Sequence, residues 1–150
     1  RRSPGWFMTH EQPALRVAES RIADAGLGLF AAEDIEEGEI VCTYHGRILR
    51  TREAICLANK DYLMRLGPQC YVNAEDSAIL ARYINDCRNA LLYNVRFDKR
   101  ADLQLAHVIA IRPIRRGHEL YASYGRFYWI GKTPTKLRLA DVVKLEEEDE

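Results

Sequence analysis

The sequence predicts a mostly-β α+β domain. Its apolar residues fall in many short runs closed by glycine or turn residues, only two short segments carry helical spacing, and strands and helices do not alternate in a βαβ rhythm. The 150 residues suit one domain, and 47% apolar with 29% charged is ordinary globular composition. A chain of this size buries a core without crosslinks. The 22 basic and 22 acidic residues cancel, so no net field favours nucleic acid or a membrane surface as partner. No apolar run approaches the roughly 18 residues of a membrane span, and no signal-peptide pattern opens the chain. The first residue is Arg1, which reads as a piece of a longer protein.

Residues 1–13 carry Pro4, Gly5 and Pro13 without periodicity and read as an extended lead-in to a domain over 14–130. Short apolar pieces then surround Gly26 and Gly28. Residues 33–38 form a turn ahead of a strand over 39–44, which Gly46 breaks and Arg47, Ile48 and Leu49 resume. Thr51 is placed to cap a short helix running to Ala58, and Tyr71-Val72 reads as a short strand. Asp76-Ser77 would cap a second helix, in which Ile79 and Leu80 meet Tyr83 and Ile84 at i, i+4 spacing. Strands over 93–97 and 103–111 flank a polar loop at 98–102; the second is apolar on both faces apart from Gln104 and His107, which predicts a buried strand. Ile114-Arg115-Arg116-Gly117 echoes the Ile-x-x-Gly turn of residues 35–38 ahead of a last strand, an echo too brief to establish a repeat. Residues 131–150 form a C-terminal segment ending in an acidic run, a solvated end.

The four cysteines, Cys42, Cys56, Cys70 and Cys87, include no C-x-x-C pair, which argues against a zinc site built from them and for reduced thiols in an intracellular protein. The histidines at 10, 45, 107 and 118 show no metal-ligand spacing.

Gly26-Leu27-Gly28-Leu29-Phe30-Ala31 fits the dinucleotide pattern G-x-G-x-x-A. The context that reading needs is missing: charges interrupt residues 16–25, and Gly38 ends any helix early. Two glycines in a tight turn account for the motif equally well. Its company decides between them. Tyr44-His45-Gly46 follows, then Arg82-Tyr83-Ile84-Asn85, then Glu119-Leu120-Tyr121-Ala122-Ser123-Tyr124-Gly125. In that order and spacing they resemble the motif series of the SET-domain protein methyltransferases, G-x-G, Y-x-G, R-F-I-N-H-S-C-x-P-N and E-L-x-Y-D-Y-G. The resemblance covers about residues 14–130, with Tyr71-Val72-Asn73-Ala74 similar to the Y-V-I-D-A strand that lines the family's peptide groove.

The resemblance implies a SET-type fold in which the chain around Asn85 threads a loop near the last motif, a pseudoknot. It implies S-adenosylmethionine as cofactor, held by Gly26, Leu27 and Gly28, by Arg82, Asn85 and Asp86, and covered by Trp129 or Tyr128. It implies transfer of a methyl group to a lysine side chain of a protein, commonly a histone, in the nucleus. Tyr124 would stand at the transferring methyl, and Tyr44 would orient the amine. Tyr71, Val72, Tyr93, Phe97 and Ala122 would line the substrate side. The reaction is an in-line displacement by a neutral amine, catalysed largely by positioning. Three departures stand out. Asp86 replaces the family's His, the second Asn of the third motif is Asn89 or, preferably, Asn94, and Ala122 replaces a Tyr or Phe. Whether Tyr93 or Phe97 faces the lysine channel stays open. No cysteine follows Cys87, so the family's closing zinc segment has no ligands and no metal is expected. Two rivals remain: a SET-shaped module that binds cofactor or peptide without turnover, and an unrelated small β domain that binds peptides.

Overall fold

A computed structural model describes residues 12–125. The architecture is three small antiparallel sheets. The first is a hairpin of β1 (Leu15–Glu19) and β2 (Leu27–Ala31). The second has the order β3-β8-β7, from β3 (Ile40–Tyr44), β8 (Leu105–Ala110) and β7 (Val95–Arg100). The third has the order β4-β6-β5, from β4 (Arg47–Leu49), β6 (Cys70–Asn73) and β5 (Leu63–Gly67). One short helix, α1 (Thr51–Ile55), joins β4 to β5. The mostly-β class is therefore correct.

The details follow from side-chain patterning. β8 lies between two partners and alternates buried Ala106, Val108 and Ala110 with half-buried Leu105, His107 and Ile109, so it is less buried than its apolar composition suggests. β7 is an edge strand, which lets it carry charge. It runs on through Asp98, Lys99 and Arg100, where a loop was expected, and turns back over a 3-10 turn at Ala101–Leu103. The expected second helix is a correction: only one 3-10 turn forms, Leu80–Tyr83, entered from extended Ile79 and not capped by Asp76 or Ser77. α1 also stops short of Ala58, and its cap is Arg50, whose N–H donates to the Glu53 carboxylate at 3.1 Å.

The two Ile-x-x-Gly turns meet. Ile35 and Ile114 exchange both backbone hydrogen bonds at 2.8 Å, both side chains are buried, and Gly38 and Gly117 adopt left-handed φ of 88° and 92°. Gly38 N–H donates to Ala110 O and Gly117 N–H to Ala31 O, each at 2.8 Å, so each turn closes on the strand that precedes the other. The core spreads from this junction through Leu29, Val41, Val72, Val108 and Leu120, all fully buried. Each such side chain contributes about 1.5–3 kcal/mol relative to exposure.

Candidate active site

Local chain geometry builds the site around the segment 84–86. Asn85 forms a parallel bridge to Tyr121, and Ala122 N–H donates to Asn85 O at 3.1 Å, which threads the third motif through the fourth. Asn94 clips the arrangement. Its Nδ2 donates to Glu119 O at 2.9 Å and its Oδ1 accepts from Tyr121 N–H at 2.8 Å, with the side chain buried. Asn89 instead closes a local turn, accepting from Leu91 N–H at 3.1 Å. Of the two asparagines, Asn94 is the one tied to the fourth motif.

Glu119 holds the glycine hairpin onto the fourth motif. Its buried carboxylate accepts Ser20 Oγ–H at 2.7 Å, Arg21 N–H at 2.8 Å and Tyr121 O–H at 3.1 Å. Gly28 packs flat against it: a Cβ at Gly28 would lie 2.3 Å from Glu119 Oε2. The second glycine of G-x-G therefore makes room for a protein carboxylate, while Gly26 and the exposed Leu27 face open space.

That open space is one cleft of about 990 Å³. Ala25, Gly26, Leu27 and Asn85 line it, as do Tyr62 and, from β5, Leu63, Met64 and Arg65. Tyr44, Phe97 and Tyr124 line the same cleft. Asn85 Nδ2 donates to Leu27 O at 2.9 Å, joining the third motif to the first across 58 residues of sequence. Tyr124 O–H donates to Ile84 O and Tyr44 O–H to Tyr62 O, both at 2.5 Å. Phe97 stands edge-on to Tyr44 with centroids 6.0 Å apart. Arg82 stacks its guanidinium on Tyr62 at 4.3 Å and donates to Ser77 O at 2.9 Å; its Nε is buried with no hydrogen-bond partner among the described residues.

Of the residues expected at the site, Gly26, Leu27, Tyr44, Tyr71, Arg82, Asn85, Phe97 and Tyr124 meet in this cleft. Asp86 lies behind its wall, 5% exposed. Tyr93 turns away to donate to Asp86 at 2.6 Å, and burial with that carboxylate pushes its pKa up. Of the two aromatics, Phe97 lines the cleft and Tyr93 does not. Val72 and Ala122 are fully buried in the core and do not form cleft wall. Trp129 and Tyr128 lie outside the described residues. The sequence reading missed the contribution of β5 and of Asp61 and Tyr62 just before it, and the cleft positions of Lys99 and Ser123. The Gly67-Pro68 punctuation after an apolar run was the available signal for β5. Among the described residues no three His, Cys, Asp or Glu side chains converge as metal ligands. The four cysteines are unbridged, and burial pushes the Cys42 thiol up to about 12 and Cys87 up to about 11.

A family model described as SET domain matches residues 26–125. The histone-lysine N-methyltransferase EZH2 of Chaetomium thermophilum is 30% identical over 125 residues, 75% of this chain and 8% of that protein. The Drosophila melanogaster histone-lysine N-methyltransferase trr is 34% identical over 116 residues, 72% of this chain and 5% of that protein. The chain thus spans less than a tenth of the length of either curated relative. Among solved structures, an active polycomb repressive complex 2 in the basal state superposes with a TM-score of 0.63 at 32% identity, over 76% of this chain and 15% of that one. The Chaetomium thermophilum polycomb repressive complex 2 gives 0.61 at 31%, over 77% and 16%.

Proposed function

Because this chain belongs to the SET-domain family, we propose that it is a protein-lysine N-methyltransferase that uses S-adenosylmethionine and acts on a histone in the nucleus. The observation that carries the reading is the cleft lined both by Gly26, Leu27 and Asn85 and by Tyr44, Phe97 and Tyr124. Its relatives' names, histone-lysine N-methyltransferases, support the substrate class.

The residues present fit the cofactor. The cleft of about 990 Å³ is at the upper end of ligand pockets, room for a cofactor and a lysine side chain together. Gly26 and Leu27 line it, and Gly26 has open space where a Cβ would be, so a ligand can approach its backbone closely. Gly26, Leu27, Arg82 and Asn85 would hold it, and when bound it supplies a methyl group on a positively charged sulfur.

Tyr44 and Phe97 form an aromatic channel that aligns a lysine amine and excludes water. Arg65, Arg82 and Lys99 line the same cleft against one carboxylate, Asp61, and that excess of positive charge disfavours a further cation and so favours the neutral amine. Tyr124 donates its hydroxyl proton to Ile84 O, which fixes the phenol as part of the cleft where the reacting centre would sit. Phe97 offers no hydroxyl to anchor water beside the amine, so a methylated lysine can turn and accept again. Di- or trimethylation is the expected product.

Incubation with labelled S-adenosylmethionine, histones and cell extract tests this. Label recovered as methylated lysine is expected. Cofactor that raises the melting temperature without any transfer would favour the non-catalytic binding module, and no cofactor binding would remove both readings.

A further inference from the structure

Tyr124 is gripped at two ends by one short segment. Its hydroxyl donates to Ile84 O at 2.5 Å, and its backbone N–H donates to Asp86 Oδ2 at 2.9 Å. The other carboxylate oxygen, Oδ1, accepts Arg88 N–H at 2.8 Å and Tyr93 O–H at 2.6 Å. Asp86 is 5% exposed, so these charge-assisted bonds work in a poorly solvated setting.

We propose that Asp86 is the positioning residue of Tyr124, an assignment that rests on the transferase reading above. The segment 84–86 then acts as a brace. Ile84 O fixes the phenol, the Asp86 carboxylate fixes the backbone from which the ring springs, and Asn85 O holds Ala122 N–H between them. With both ends fixed the ring has one position. The same carboxylate keeps Tyr93 out of the cleft and so leaves the channel to Phe97. The arrangement requires an acid: three donors converge on two oxygens, whereas a neutral imidazole offers a single acceptor. The Asp at this position therefore comes with its own set of partners, Arg88, Tyr93 and Tyr124.

Asp86→Asn preserves size and one acceptor oxygen but turns an NH2 toward the Tyr124 N–H. A buried donor left without its acceptor predicts a fall in kcat of about 10- to 100-fold. A peptide KM within about twofold of wild type is expected, because the substrate's own contacts are untouched. Fluorotyrosine incorporated at position 124 gives a second readout, a 19F resonance that should move in Asp86→Asn while the protein stays folded. A wild-type kcat in Asp86→Asn overturns the assignment. So does a variant that no longer folds, or one whose kcat and KM change together, since the carboxylate would then serve the fold alone. A wild-type enzyme inactive on every lysine substrate, with the 19F signal still moved by Asp86→Asn, would sink the transferase reading and leave the brace standing. An inactive enzyme with an unmoved signal would sink both.

Discussion

Gly28 has no room for a side chain because a pinned carboxylate stands where its Cβ would be. Glu119 cannot swing aside cheaply, since three donors hold it. Gly28→Ala should lower stability by about 1–3 kcal/mol, the usual cost of overpacking. The urea midpoint should fall with the slope unchanged, and a midpoint equal to wild type would contradict the packing described. The buried thiols make a second residue-scale prediction. Cys42 stays neutral in the folded chain up to about 12, against 9.0 for an ordinary thiol. A group whose folded pKa is raised contributes stability that is whole below the unfolded value and is lost as pH rises toward the folded one. That contribution should therefore vanish between pH 9.0 and about 12. Cys42→Ala should flatten the alkaline fall in urea midpoint over that window; an unchanged slope would contradict the assignment.

Between elements, the pseudoknot depends on Asn94. Its side chain satisfies a backbone carbonyl at Glu119 and a backbone N–H at Tyr121 that no water could easily reach. Asn94→Ala strands both and should cost about 2–4 kcal/mol. Denaturant unfolding measures it, and a loss below about 0.5 kcal/mol, the range of neutral surface changes, would show that the knot holds without this clip. The same region explains which elements the sequence made legible. Strands with β-branched cores, such as β3 and β8, declare themselves by pattern. β5, Leu-Met-Arg-Leu-Gly, does not, because Leu, Met and Arg favour helix and its place is set by pairing with β6. The turn at Leu80–Tyr83 has helical spacing but is extended on both sides, at Ile79 and Ile84, where the chain enters the knot. Tertiary pairing overrides propensity there.

Across the whole molecule, the first, third and fourth motifs read from sequence come together because two pairings of distant chain hold them. Asn85 reaches Leu27 and Tyr121, and Glu119 reaches Ser20 and Arg21. Motif order was visible in the sequence; these side-chain anchors were not, since nothing local distinguishes a buried Glu119 from a solvated one. The mutual closure of the Ile35 and Ile114 turns was equally hidden, although both Ile-x-x-Gly patterns were visible. The central claim is that the hydroxyl of Tyr124 converts a binding cleft into a transferase. Its most direct test is the time course of methyl transfer to a lysine peptide with cofactor in excess, followed by mass spectrometry, for wild type against Tyr124→Phe. The wild type should add two or three methyl groups at long times. The variant should bind cofactor as tightly and transfer at least about 100-fold more slowly, the loss typical of one positioned hydrogen-bonding group at a reacting centre. A Tyr124→Phe enzyme that transfers at the wild-type rate would contradict it.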